Sequence, residues 1–166
     1  MNMKIRTAYL DTCSIGELLL PKTAANRISM DRIIELAQKR LLTLFTSEEC
    51  WIELNDSPKR YVSDLKKKYN SIPRVELKEN IGVSSLIDAY TQPKVLDQPD
   101  ATHLAYATFY KIDVLLTYNR RTIIKNSRKI NRINRGLRYA TPLLVTPNDL
   151  IRKIEIAGNT LSYTEG

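Results

Sequence analysis

Cysteine is scarce in this chain of 166 residues, occurring only at Cys13 and Cys50. Two thiols make neither a disulfide framework nor a thiolate metal cluster. Neither has an evident base partner, so both are expected to be small buried groups rather than nucleophiles. Glycine, at five residues, is too sparse for a fibrous repeat or a flexible linker, and no internal repeat recurs at a fixed period. No apolar run approaches the roughly 20 residues a membrane span needs. The first six residues are polar and lack the apolar core of a signal peptide. A soluble, cytoplasmic protein without membrane contact is therefore expected. Acids are missing too, but only locally: between Arg120 and Arg138 there is none.

What is present is an ordinary globular balance, 43% hydrophobic and 27% charged, long enough for one domain with a real core. The net charge is +8 and the pI about 9.5, which favours anionic partners such as nucleic acid. The acid-free stretch carries Arg120, Arg121, Lys125, Arg128, Lys129, Arg132, Arg135 and Arg138, interspersed with Asn126, Asn131 and Asn134. A solvated face would explain such a run, but its length and amide spacing point to phosphate contacts by Arg120, Arg121, Lys125, Arg128, Arg132 and Arg135. A shorter run, Lys66 to Lys68, suits either reading.

Strand and helix signals alternate. Residues 5–10 read as a strand that ends at Asp11-Thr12-Cys13-Ser14, taken as a turn. Met30, Ile33, Ile34 and Ala37 recur at helical spacing and predict a helix over 29–39. A strand over 41–46 leads to Ser47 as an N-cap, with Glu48 and Glu49 in the first turn of a helix reaching Leu54. A helix over 59–69, a short strand over 72–77, a helix over 81–89 and a loop over 90–99 follow. In the next helix Asp97 is the expected cap, Pro99 suits the first turn, and Ala101, Leu104, Ala105, Thr108 and Ile112 form a buried stripe. Strands over 114–117 and 143–145 come next, then a capping pattern, Thr146-Pro147-Asn148-Asp149, opening a helix towards Ile154. The expected organisation is one domain over 1–157 and a loose tail over 158–166. Alternation of this kind implies a mainly parallel sheet covered on both faces, with ligands beyond the carboxyl ends of the strands.

Four residues fall at those ends: Asp11 after the first strand, Glu53 on the helix after the second, Asp100 in the first turn of its helix, and Asn119 after the 114–117 strand. Each has a plainer explanation, as a turn residue, surface acid, helix cap and turn residue respectively. Together, carboxylates gathered in one place repel unless a cation neutralises them. Oxygen donors suit Mg²⁺ or Mn²⁺ rather than zinc. Such an ion polarises a phosphodiester and activates water. A phosphatase of the dehalogenase type also places Asp after a first strand, but wants a second acid where Cys13 stands.

The segments Tyr9-Leu10-Asp11-Thr12, Ser47 through Glu53-Leu54, Asp100-Ala101-Thr102-His103-Leu104-Ala105 and Leu115-Leu116-Thr117-Tyr118-Asn119 resemble, in order and separation, the four signature segments of PIN domains. Thr146 to Leu150 fits the family's closing segment. The resemblance implies a three-layer α/β/α fold with a four- to five-stranded, mainly parallel sheet. It also implies Mg²⁺- or Mn²⁺-dependent ribonuclease activity, and many small members are VapC-type toxins of type II toxin–antitoxin pairs. It assigns Asp11, Glu53 and Asp100 as metal-holding catalytic acids. Asn119 stands where many members carry a fourth acid, and Thr122 where one subgroup carries a histidine. Thr12, Thr117 and Asp97 are further candidates for lining the site. A neutral amide at Asn119 could orient water or offer its carbonyl oxygen to the metal. His103, the sole histidine, is read as a packed structural residue. The expected partners are RNA, a cognate antitoxin and a second copy of the chain. A PIN fold that has lost catalysis and kept RNA or protein binding is the alternative.

Overall fold

The computed structural model describes residues 4–162, with side chains described to Gly158. Five strands form a parallel sheet: β1 (Thr7–Leu10), β2 (Thr43–Ser47), β3 (Val75–Leu77), β4 (Val114–Leu116) and β5 (Leu143–Val145), in the order β3-β2-β1-β4-β5. Every pairing is parallel; Tyr9, for example, lies beside Phe45 on one side and Leu115 on the other. The strand order reverses direction across the β1–β4 pair, which makes that pair the switch point of the sheet.

The helices are α1 (Thr12–Gly16), α2 (Ala24–Gln38), α3 (Glu48–Asn55), α4 (Lys59–Ser71), α5 (Ile81–Thr91), α6 (Gln98–Phe109), α7 (Ser127–Gly136) and α8 (Pro147–Ser162), with a 3-10 turn at Ile124–Asn126 before α7. Period-two alternation sends successive strand residues to opposite faces. Ala8 and Leu10 of β1 join Leu44, Leu116 and Val145 in a core with α2, α3, α4 and α8. Tyr9, Leu115 and Leu144 join the other core, with α5, α6 and Ile130 of α7. The stripe read on α6 is buried throughout, from Ala101 to Ile112. Glycine scarcity shows at the helix ends: Arg40, Lys94, Lys111 and Arg138 adopt left-handed φ of 56° to 64°, the conformation glycine takes most easily.

Several local expectations are corrected. The segment after β1 is a short helix, not only a turn, and Asp11 caps it through Ser14 N at 2.9 Å. The second helix starts at Ala24, capped by Thr23, five residues earlier than its apolar stripe suggests. Ser47 occupies the N-cap of α3 without a capping bond, because its hydroxyl is held by Tyr9 OH at 2.6 Å. Asp97 likewise takes the N-cap position of α6 but makes no side-chain cap bond. Thr146 does cap α8, accepting from Asp149 N at 3.1 Å. That helix passes residue 154 and runs to Ser162, into the segment expected to be loose; residues 163–166 lie outside the described residues. The basic stretch contains a helix, α7, that its charges had hidden.

Candidate active site

The end of β1, helix α3 and the first turn of α6 supply Asp11, Glu53 and Asp100 to one rim. Asp11 follows β1 at once and is only 2% exposed. Its backbone N–H continues the sheet ladder by donating to Leu116 O. Burial pushes its carboxyl pKa up, while His103, a hydrogen bond from Thr117 and the Ser14 N–H pull the other way. Thr117, fully buried after β4, also accepts the Asn119 N–H at 2.9 Å, so one hydroxyl joins the two loops of the switch point.

Glu53 enters from α3, one turn beyond Glu49, and is drawn to His103. The imidazole Nε2 lies 2.5 Å from Glu53 Oε1, and Thr12 Oγ1 donates to the same oxygen at 3.1 Å. On the far side of the ring, Nδ1 meets Tyr9 OH at 2.8 Å, and Tyr9 OH meets Ser47 Oγ at 2.6 Å. Burial alone would lower the histidine pKa, but the Cys50 sulfur and the Glu53 carboxylate beside it hold it well above the ordinary value. Burial would likewise raise Glu53, yet the hydrogen bonds and charge of His103 and the Thr12 hydroxyl bring it down. The two shifts agree in direction: both favour the charged form of the pair, which is buried on the histidine side.

Asp100, in the first turn of α6, is held by two donors on one oxygen. Asn119 Nδ2 reaches Oδ2 at 2.9 Å and Thr122 Oγ1 reaches it at 2.5 Å. The Asn119 carbonyl oxygen accepts the Thr122 N–H at 3.3 Å. Both ends of the Asn119 amide are thus engaged within the rim. The amide nitrogen holds Asp100, and the carbonyl oxygen, which has two lone pairs, accepts this one hydrogen bond.

Whether a hard divalent cation fits can be judged from the oxygens. The second oxygens of Glu53 and Asp100 accept no hydrogen bond among the described residues, and no Lys or Arg pairs with Asp11, Glu53 or Asp100. The charges of all three act on the Cys13 thiol. Burial first, then Asp11, Glu53 and Asp100, push its pKa up to about 12. Cys13 is nevertheless an exposed residue, not the buried one expected; Cys50 is buried as expected. Carboxylates on one rim with unused oxygens suit Mg²⁺ or Mn²⁺ in kind. They are not drawn together: among the described residues no three His, Cys, Asp or Glu side chains form a ready-made metal group.

Of the other candidates, Thr12 and Thr117 line the rim, and Asp97 is exposed without a hydrogen bond to it. Arg121, Lys125, Arg128, Arg132 and Arg135 are exposed and, among the described residues, form no ion pair; Arg120 only approaches Asp149 at 3.5 Å. Sequence reasoning missed Tyr9, Ser47 and Thr122, and understated His103. Only Thr122 carried a signal, three places beyond Asn119.

No family model matches the chain, and no curated protein matches it in sequence. Among solved structures it is similar to a chain of VapBC2 from Rickettsia felis, whose crystal structure is of the complex bound to a DNA fragment from their promoter. That match has 14% identity and a TM-score of 0.55, and covers 83% of this chain and 96% of the other. No described helix is long and apolar enough to cross a membrane. Identity this low speaks for the fold alone, and the fold is the PIN-like three-layer α/β/α one, with an all-parallel five-stranded sheet.

Proposed function

We propose that this chain is a metal-dependent ribonuclease of the PIN type, acting in the cytoplasm as the toxin of a toxin–antitoxin pair. The observation that carries the reading is that Asp11, Glu53 and Asp100 all lie on the rim beside the β1–β4 switch point, near enough to act together on Cys13, and that no Lys or Arg pairs with them among the described residues. Asp11, Glu53 and Asp100 would hold Mg²⁺ or Mn²⁺, which supplies charge neutralisation of the phosphodiester and an activated water. The protein's own part is positional. Thr12 and His103 fix one oxygen of Glu53, and Asn119 and Thr122 fix one oxygen of Asp100, leaving the other oxygens for the ion. Arg121, Lys125 and the exposed arginines of α7 would grip phosphates. The VapBC2 likeness supports an antitoxin partner as part of the same proposal, and a second copy of the chain is proposed beside it.

The test uses substitutions that spare the fold. Asn in place of Asp11 can still accept from Ser14 N, and Asn in place of Asp100 can still accept from Asn119 and Thr122. Asp11→Asn and Asp100→Asn should each cut Mn²⁺-dependent RNA cleavage by about a hundredfold or more while the fold persists. Cleavage at wild-type rate by either variant, or cleavage unaffected by chelator, would falsify the assignment. A second reading, a catalytically silent RNA- or protein-binding module, is favoured by one observation: the acids do not close on a single point. RNA retained but never cut, with metal present, would decide for it.

A further inference from the structure

A cleft of about 770 Å³ opens beside the acids, between α1 and its following turn, the start of α4, and the loop after β4. It meets the acidic rim at Cys13 and Asn119, whose neighbours are Asp11 and, at 2.9 Å, Asp100. Its apolar part is formed by Leu20, Tyr61 and Leu65, and its cationic part by Lys22, Arg120 and Arg121. The one acid lining it, Glu17, is 4% exposed and turned to the Lys22 N–H at 2.7 Å, so the accessible charge is positive. Lys22 and Arg121 form no ion pair among the described residues.

We propose that this cleft seats a nucleotide flanking the phosphate to be cut, with its base against Tyr61 and its phosphate on Arg121 and Lys22. The proposal rests on the ribonuclease reading and adds a subsite to it. Tyr61 is half-buried with the Arg60 guanidinium 4.6 Å over its ring, and it lines the cleft with the unpaired Lys22 and Arg121; an aromatic ring beside free cations is the combination that holds a single strand, since bases stack on rings while cations follow the backbone. The volume lies in the range of small-ligand pockets, enough for a nucleotide or two and too little for a duplex or a folded domain. Continuity with the acids gives the occupant its register, since a strand lying in the cleft passes Asn119 and Asp100 next.

The test is a short fluorescent RNA titrated into the full chain in the presence of chelator, so that binding is read without cleavage. Tyr61→Leu, which keeps apolar volume and removes the ring, should weaken binding roughly 5-fold or more, as loss of one base–aromatic stack does. Tyr61→Phe should stay within about 2-fold. Arg121→Ala should flatten the salt dependence by about one phosphate contact. RNA carrying 5-iodouridine should cross-link to the peptide containing Tyr61. Arg121 is exposed and unpaired, so that variant and the cross-link remain decisive if Tyr61→Leu fails to fold. Wild-type affinity in both Tyr61→Leu and Arg121→Ala, cross-links mapping elsewhere, or variants that lose a protein partner but not RNA, each overturn the subsite. RNA held in the cleft yet never cut with Mn²⁺ present would instead remove the nuclease reading. Cleavage at unchanged KM by both variants would leave the nuclease and remove the cleft.

Discussion

Asn134→Ala should loosen α7 and with it the basic face. Asn134 is fully buried, an unusual place for an amide, and it ties three elements together. Its Oδ1 accepts from Tyr90 OH of α5 at 2.6 Å, and its Nδ2 donates to Thr141 Oγ1 at 3.1 Å. The Tyr90 hydroxyl also lies 3.2 Å from Thr108 Oγ1 on α6. With a single proton, it donates to the nearer, acceptor-only amide oxygen. Truncation deletes two hydrogen bonds, each worth about 0.5–1.5 kcal/mol net, and leaves the buried Tyr90 hydroxyl short of its better acceptor. Alanine returns a few tenths of a kcal/mol, up to roughly 0.7, as a better helix former. The expected net loss is about 1–3 kcal/mol, or a fall in Tm of roughly 3–10 °C for a domain of this size. Chemical denaturation should show a lower midpoint at unchanged slope. Tyr90→Phe should cost a similar amount by orphaning the amide oxygen. The double variant should cost clearly less than the sum, by about 0.5 kcal/mol or more, because the pair is one interaction. Strict additivity, or a single-variant loss under about 0.5 kcal/mol, would refute the view that Asn134 anchors α7.

Two further expectations come from the helix ends and the basic face. Lys111 sits at φ 56° just past α6, so Lys111→Gly should stabilise the fold by about 0.5–1 kcal/mol, read as a higher denaturation midpoint; a lower midpoint would mean that contacts of the lysine outweigh the backbone strain. Replacing Arg128, Arg132 and Arg135 together with alanine should lower the slope of RNA affinity against salt by about two to three phosphate contacts without moving Tm. An unchanged slope returns that face to simple solvation.

The sheet was legible because its strands are short apolar runs separated by helical stripes, and the stripe on α6 is continuous. The placement of Asp11 and Asn119 was legible because parallel topology brings residues after β1 and β4 to one rim. What stayed hidden was whatever depends on partners distant in sequence. Nothing local to Ser47 shows that its hydroxyl serves Tyr9 instead of the α3 terminus; only the β1–β2 pairing brings them together. Helix α7 was hidden for another reason. Its apolar stripe is reduced to Ile130 and Ile133, and its remaining inward position is the polar Asn134. Charge drew attention to the stretch, whereas the Ile–Ile spacing at 130 and 133 was the signal to follow. His103 was rightly read as packed, but packing did not reveal that both of its ring nitrogens are used, one on Tyr9 and the other on Glu53.

Asp11 separates structural need from chemical need. Its capping bond to Ser14 N accounts for one carboxylate oxygen, and a neutral side chain would cap as well. What capping does not account for is a charge held at 2% exposure. Burial raises its pKa in the folded chain, so the ionised form is disfavoured by folding. For an acid shifted in that direction, the stabilising contribution belongs to low pH and is lost as pH rises through the carboxylate range. At neutral pH, Asp11 therefore weakens the fold. Asp11→Asn keeps the cap and removes the charge, and should raise stability at pH 7 in chelator by about 0.5–2 kcal/mol, or roughly 2–6 °C in Tm. The gain should shrink towards pH 3, where the aspartate is neutral in both states. Measured by thermal denaturation across pH, a variant that is less stable than wild type at neutral pH would make Asp11 a purely structural residue. A variant that is more stable and inactive would show that the chain tolerates this charge for the chemistry it permits.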